Sequence, residues 1–494
     1  MRDFGKETGG KKVIFSTLEI QDNSPIYEQL EKHIEKAIET GTLIKDSKLP
    51  STREVSSVLK ISRNTVMTAY ENLESRGIIY SIKGKGSFVK VTTKNNTKPV
   101  EIDWQDRMSH YGEVCEAMDI LKTEYRYEKG MISFKSIAPE GNLFDIEEFK
   151  RAFLDVIALE GEKILNYGYA QGYRELIEYL MHYMKGKGVD CEEKDILITN
   201  GFTEGLDILL STYTKPGDKI ICEMPTHHTT LKMMRAYGIE VIGVAMDEQG
   251  ILVEDLERKI VEHQPKWVYL TPSYQNPTGI VMSGQRRREV YKILCQYEIA
   301  CIEDGFNEEL LYSGSHVMPL ISLAGASNHI IYLGSFSKIL FPGLRLGWIM
   351  ADKKCISTLE SIKRAKNIHT SFLDQAIFVQ YMKSGAFERY LKKVRKYYRD
   401  KYLFVVEEIN KNIPYKQLCG EGGLHVYIIL DDNINERELL EKCYARGVLF
   451  MPGDIFTINR GNSSSLRLGF ARLEDKEIVK GLRIIGEEIK KYTD

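Results

Sequence analysis

Gly334-Ser335-Phe336-Ser337-Lys338-Ile339-Leu340-Phe341-Pro342-Gly343-Leu344-Arg345-Leu346-Gly347 follows directly on a short β-rich run, Ile330-Ile331-Tyr332-Leu333. Lys338 stands among two hydroxyls, Ser335 and Ser337, with Arg345 shortly behind. Hydroxyls, lysine and arginine in that order suit an amine that forms a Schiff base beside a bound phosphate. An isolated stretch of this kind is usually a surface lysine on a turn, so its meaning depends on the residues around it.

Working outward, five more β-rich runs precede it: Ile196-Leu197-Ile198, Lys219-Ile220-Ile221-Cys222, Val241-Ile242-Gly243-Val244, Trp267-Val268-Tyr269-Leu270 and Ala300-Cys301-Ile302. Helical periods lie between most of them, which predicts an α/β domain with a mainly parallel sheet covered on both faces. Ligands then collect beyond the strand C-terminal ends. After the first run, Thr199-Asn200-Gly201-Phe202-Thr203-Glu204-Gly205 opens a helix whose free N–H groups suit phosphate. After the fourth comes Ser273-Tyr274-Gln275-Asn276-Pro277-Thr278-Gly279, and after the fifth Glu303-Asp304-Gly305-Phe306, whose aspartate can pair with a protonated pyridine nitrogen.

The front of the chain has a different period. Ile26, Leu30, Ile34 and Ile38 recur every four residues, a helix stripe that Gly41 can stop. Ser51, with Glu54 behind it, caps a second helix to about Leu59; Ser62 caps a third, with Val66, Tyr70 and Leu73 inward and Gly77 at its end. Residues 78–82 and 87–89 alternate as two strands joined by Lys83-Gly84-Lys85-Gly86. Three helices and a basic hairpin make a winged helix-turn-helix (α+β). Its third helix offers Arg63, Asn64 and Thr65 to a major groove, and its wing offers lysines to phosphate.

Composition is compatible with both parts. Hydrophobic residues are 43% and charged residues 28% of 494, a globular balance in a length suited to two or three domains. Residues 1–99 hold 17 Lys+Arg against 12 Asp+Glu, whereas the chain as a whole carries −2, so the front is mildly basic. The eight cysteines form no CxxC pair, which argues against a zinc site or a disulfide framework. Without a signal-like N-terminus or a long apolar run, the expected location is the cytoplasm, with no membrane contact. The expected domains are a head over 24–91, a linker over 92–130 and a second body over 131–494. That body divides into a large part (about 160–375) and a small one (about 376–494). Tyr125, Arg126 and Tyr127 are expected to pack a helix rather than line a pocket mouth.

The blocks SPIYEQL, LPSTREV, SRNTV and GKGSFV resemble, in order, the winged helix of GntR-type regulators. That resemblance implies DNA contacts from Arg53, Arg63, Asn64, Thr65, Lys83, Lys85 and Gly86. From about residue 130 onward, YGYAQGYRELIEYL, NGFTEGLDILL, PSYQNPTG, IEDGF, GSFSKILFPGLRLGW and SLRLGFA resemble the fold-type I, class I/II aminotransferases, which use pyridoxal 5'-phosphate. Carried over, Lys338 is the Schiff-base lysine, Asp304 keeps the pyridine nitrogen protonated and Asn276 bonds the ring oxygen. Gly201, Phe202, Thr203, Ser335, Ser337 and Arg345 hold the phosphate, helped by Tyr167 from a second subunit. Arg467 clamps an amino acid's α-carboxylate. Two positions depart from the pattern: Phe306 replaces the usual tyrosine and removes its hydroxyl, and His227 stands where an aromatic ring normally stacks on the cofactor.

Together the two parts resemble MocR/GabR-type regulators. That resemblance implies a homodimer on operator DNA, sensing an amino acid or related amine through external aldimine formation. Two other functions compete with it: a working aminotransferase with a 2-oxo acid acceptor that also binds DNA, and a metabolic transaminase whose front domain docks a partner protein. Absorbance and product formation with an amino-acid panel separate the first two; DNA retention tests the third.

Overall fold

The computed structural model describes residues 15, 18, 20–21, 24–90, 101–120, 125–305, 308–312, 317–459, 461 and 463–492. The chain divides into two units, Met1–Trp104 and Gln105–Asp494.

In the first unit α1 (Ile26–Glu39), α2 (Thr52–Leu59) and α3 (Arg63–Ser75) precede an antiparallel hairpin of β1 (Ile79–Ile82) and β2 (Gly86–Val89). The four-residue stripe does what its spacing predicts. Leu30, Ile34 and Ile38 share one buried core with Val66, Ala69, Tyr70 and Leu73 of α3. Both hydroxyl caps form. The Glu54 N–H donates to Ser51 Oγ at 3.2 Å while the Ser51 N–H donates to the Glu54 carboxylate at 2.7 Å. Ser62 Oγ accepts from the Asn64 N–H at 3.2 Å. Each such cap stabilises its helix by about 1 kcal/mol. They fix where α2 and α3 begin, and hence which side chains stand at the mouth of the turn.

In the second unit, alternation along each strand sends successive side chains to opposite faces. Ile196, Ile198, Val268, Leu270 and Cys301 enter one buried core, and Leu197, Trp267, Tyr269 and Ile302 enter another. The strands between these cores are β4 (Lys194–Thr199), β5 (Lys219–Glu223), β6 (Glu240–Val244), β9 (Trp267–Leu270), β10 (Ala300–Asp304), β11 (Ile330–Ser335) and β12 (Gly347–Asp352). Two short pairs lie outside that sheet: β3 (Ile132–Ser133) with β15 (Val448–Leu449), and β7 (Met246–Asp247) with β8 (Gly250–Ile251). The seven strands run in the order β4-β12-β11-β10-β9-β5-β6, and β12 is antiparallel to both its neighbours. The sequence runs foresee every strand but β12. Its core, Trp348 to Ala351, is an apolar run too short to show a period.

A smaller antiparallel sheet follows, in the order β13 (Gln417–Cys419), β14 (His425–Ile429), β17 (Ser465–Gly469), β16 (Met451–Pro452). Helices 436–445 and 475–490 enclose it with a third core that includes Val426, Leu466, Leu468 and Ile485. β17 places Arg467 facing the C-terminal ends of the large sheet. Among the described residues no helix is long and apolar enough to cross a membrane.

Candidate functional site

A cavity of about 850 Å3 opens where β4, β10 and β11 end, and the small sheet supplies its opposite wall. Phe202, Thr203, His227, Asp304, Ser335, Ser337, Lys338, Arg345 and Arg467 all line it. The sequence predicts each of these residues for the site, and the fold gathers them from positions up to 265 apart.

One corner is built to receive an anion. Gly201, at φ +80°, precedes helix 202–213, whose first N–H groups have no partner within the helix. A β-carbon at 201 would lie 2.9 Å from the Arg345 guanidinium, so only glycine lets that group rest on this backbone. Arg345 Nη2 donates to the Asn200 carbonyl at 2.9 Å, and the Ser337 N–H to Ser335 Oγ at 3.2 Å. Cation, hydroxyls and helix N-terminus converge as phosphate requires.

Asp304 is buried at the floor. Tyr269 donates to its Oδ2 at 2.7 Å, and Thr230 donates to the Tyr269 hydroxyl at 3.3 Å. Burial pushes the Asp304 carboxyl up to about 7, opposed by the bond from Tyr269. A cation against the carboxylate reverses that rise, and a protonated ring nitrogen is such a cation. His227 sits with its ring centroid 6.1 Å from that of Phe202. Burial, then the charges of Arg467 and Lys338, push its pKa down to about 3, so the imidazole is a neutral ring. Burial first, then Arg467, Arg472 and Arg345, bring Lys338 down to about 8, within reach of a neutral amine near pH 7.

The remaining wall holds unspent hydrogen-bonding capacity. Arg467 is 2% exposed; its Nη1 donates to Asn276 Oδ1 at 2.8 Å and its Nη2 to the Lys135 carbonyl at 3.1 Å. Its Nε and the Asn276 Nδ2 are both buried without a partner. Its Cζ lies 5.0 Å from the centroid of the Phe456 ring. Buried donors left unmade are costly, by about 1–3 kcal/mol each, so a ligand that takes them is favoured. An aromatic ring bearing an oxygen, a protonatable nitrogen and a phosphate, with a carboxylate alongside, matches this arrangement. The residues present fit pyridoxal phosphate.

Gly201 and Asn276 stand behind the wall, touching Arg345 and Arg467. Tyr167 is not part of the cavity. It is 83% exposed, with its ring 5.9 Å from that of His369. Phe306 lies outside the described residues. The expectation that Tyr125, Arg126 and Tyr127 pack a helix is corrected: all three line the cavity, although Tyr125 also stacks on Tyr444 at 4.4 Å. Sequence reasoning passed over Tyr269, Thr230, His228 and Phe456. Of these only Tyr269 carried a signal, a hydroxyl in an apolar strand next to the one that ends in Asp304. In the first unit Arg53, Arg63, Asn64, Lys83, Lys85 and Gly86 are exposed and Thr65 is half-buried. Arg63 Nε donates to Thr52 Oγ1 at 3.3 Å, which joins the starts of α2 and α3.

Comparison with known proteins agrees with this division. Residues 26–89 match the bacterial regulatory proteins of the gntR family, and residues 130–485 match the class I and II aminotransferases. The aromatic-amino-acid aminotransferase 1 of Thermococcus litoralis is 30% identical over 386 residues, 76% of this chain and 91% of that protein. The uncharacterized HTH-type transcriptional regulator YdfD of Bacillus subtilis is 28% identical over 481 residues, 95% of this chain and 97% of its own length. Among solved structures, LysN, an α-aminoadipate aminotransferase from Thermus thermophilus complexed with N-(5'-phosphopyridoxyl)-L-leucine, superposes with a TM-score of 0.73. It is 28% identical, and the match covers 79% of this chain and 99% of that one. With a pyridoxal-phosphate site in one unit and a winged helix in the other, the chain belongs to the class I and II aminotransferase family and carries a gntR-family head, the architecture of MocR-type regulators.

Proposed function

We propose that this chain is a sequence-specific DNA-binding transcriptional regulator that senses an amino acid or related amine in the Lys338 cavity. One observation carries the proposal. Arg467, a buried arginine with donors to spare and no acid against it, faces the same cavity as Lys338, in a chain whose other unit exposes Arg53, Arg63 and Asn64.

When bound, pyridoxal phosphate supplies an aldehyde that condenses reversibly with primary amines. Arg345, Ser335, Ser337 and the N–H groups around Gly201 to Thr203 hold its phosphate, and Asp304 its ring nitrogen. Asn276 gives its spare Nδ2 to the ring oxygen. Lys338 offers a largely desolvated amine to the aldehyde. Arg467 takes the effector's carboxylate in a bidentate grip. Because Arg467 belongs to the small sheet and Asn276 to a loop of the large one, their 2.8 Å bond ties the two parts together. A carboxylate at Arg467 competes for that bond, and the effector thereby favours one arrangement of the small part over another.

Ile146, Leu154, Leu159, Leu165, Tyr167 and Tyr169 are all exposed apolar residues within one short stretch, which supports burial against a second copy of the chain. Tyr167 would then serve the neighbouring phosphate site. The intact Lys338, Asp304 and Asn276, together with the named aminotransferase relative, favour a second function: a transaminase that also binds DNA.

Purified protein saturated with the cofactor is mixed with an amino-acid panel and a 2-oxo acid, and then with DNA from upstream of its gene. A spectral change without a new amino acid, accompanied by altered and salt-sensitive DNA retention, supports sensing. Steady product formation with unaltered retention supports the transaminase. Arg63→Ala lowers DNA affinity and leaves the cofactor absorbance unchanged; equal retention by both forms would overturn the placement of the recognition helix.

A further inference from the structure

The cavity carries more positive charge than a cofactor and a simple amino acid can match. Its lining holds Arg126, Lys135, Lys338, Arg345 and Arg467, and Asp304 is the one acid among the described lining residues. Arg345 is matched by the phosphate, Asp304 by the ring nitrogen and Arg467 by an α-carboxylate. Lys338 is spent on the aldehyde until the effector's amine replaces it there, and is then a desolvated amine drawn toward its neutral form; the Lys135 ammonium donates to the Tyr125 carbonyl at 3.3 Å. Arg126 is left over.

The backbone that presents Arg126 is tied to the carboxylate clamp through Lys135. The Lys135 carbonyl accepts from Arg467 Nη2 at 3.1 Å, while the other end of Lys135 reaches the residue that precedes Arg126. Positive charge therefore runs from the clamp, along Lys135, to the backbone that presents Arg126. Arg126 is exposed at the cavity wall and makes no hydrogen bond or ion pair among the described residues. The same lining includes Ile120, Tyr125, Ile137 and Ala138, a surface suited to methylene groups.

Resting on the function proposed above, we infer that the effector is an amino acid with a second anionic group on its side chain. Its methylenes lie along Ile120 and Tyr125, and its distal carboxylate or equivalent anion meets Arg126. A guanidinium at the mouth of a partly desolvated cavity distinguishes an anion from its neutral isostere by about tenfold or more. An amide in the same place meets donors with donors on one side of its plane.

The test is titration of the cofactor-loaded protein, followed by its visible spectrum, with L-glutamate against L-glutamine, L-aspartate against L-asparagine, and L-2-aminoadipate. The expected result is half-saturation by at least one acid at about a tenth or less of the concentration its amide needs, with Arg126→Ala reducing that ratio to below about threefold. Arg126→Glu should reverse the preference. If the amides bind as well as the acids, or if both variants keep the acid preference, the inference fails and sensing itself stands. If no amino acid of either kind alters the spectrum, the sensing function fails and the inference with it.

Discussion

Two arginines in the second unit are each 2% exposed, and they behave in opposite ways. Arg287, on the helix 284–296, uses every nitrogen of its guanidinium. Its Nε donates to the Met282 carbonyl at 3.1 Å, its Nη1 to the Met318 carbonyl at 2.9 Å, and its Nη2 to the Pro272 carbonyl and Ser273 Oγ, both at 2.9 Å. Arg467 makes two bonds and keeps its Nε idle, beside an idle Asn276 Nδ2. Burial depresses both guanidinium groups, and Arg467, whose only opposing influence is Tyr427, is pushed down to about 9. Nearby Glu303 and Glu308 counter the effect for Arg287. A satisfied buried charge holds a structure together, whereas one with donors left over waits for a ligand. Arg287 also pins both ends of the loop 272–282, the loop that carries Asn276 toward Arg467.

The contrast predicts separable effects. The largest is at the proposed Schiff-base lysine: Lys338→Ala should abolish the visible absorption of the bound cofactor and its fixation by borohydride, read by spectrum and peptide mass. Survival of either would place the amine elsewhere. Arg287→Met follows, with several buried acceptors orphaned at once; unfolding in urea should show a loss of about 3 kcal/mol or more. A neutral outcome would mean that Arg287 is not the fastening its bonds imply. Arg467→Ala should leave urea stability nearly unchanged or raised, since it deletes a charge that nothing inside the protein fully satisfies. It should weaken amino-acid binding by about 100-fold, equivalent to about 2.7 kcal/mol, with cofactor retention intact. A large stability loss in that variant would erase the distinction between the two arginines.

The smallest effect is a pH dependence. Only the neutral amine of Lys338 attacks an aldehyde, and burial sets its midpoint at about 8. Below that pH the rate of cofactor uptake should rise about tenfold per unit, and above it the rate should level off. Stopped-flow absorbance between about pH 6.5 and 9.5 reads this directly. A profile still climbing at the top of that range would show an amine that burial does not perturb.

Much of this protein is legible in its sequence because the responsible causes are local. Ser51 with Glu54, and Ser62, mark helix starts by their own hydrogen bonds. On one face of a strand Glu28, Lys32 and Lys36 would fall among Ile26, Leu30, Ile34 and Ile38, whereas a helix separates them, and Leu30, Ile34 and Ile38 reach their core on the helical face. Gly201 announces a backbone that another group approaches closely, and Lys338 with the hydroxyls of Ser335 and Ser337 announces the strand end that lines the cavity.

What stayed illegible depends on partners far apart in the chain. Asn276 and Arg467 are 191 residues apart, and no pattern in either segment reports their bond. Nor does the sequence reveal that Tyr269 supports Asp304, or that Arg126 stands at the cavity wall when packing on a helix was the expectation. The amino-acid sequence by itself determined the elements, their caps and the kinds of side chain at each strand end. Only the tertiary structure decided which donors remain unspent and which charges are buried without a counterion, because desolvation is a property of the surrounding volume and not of any neighbour along the chain.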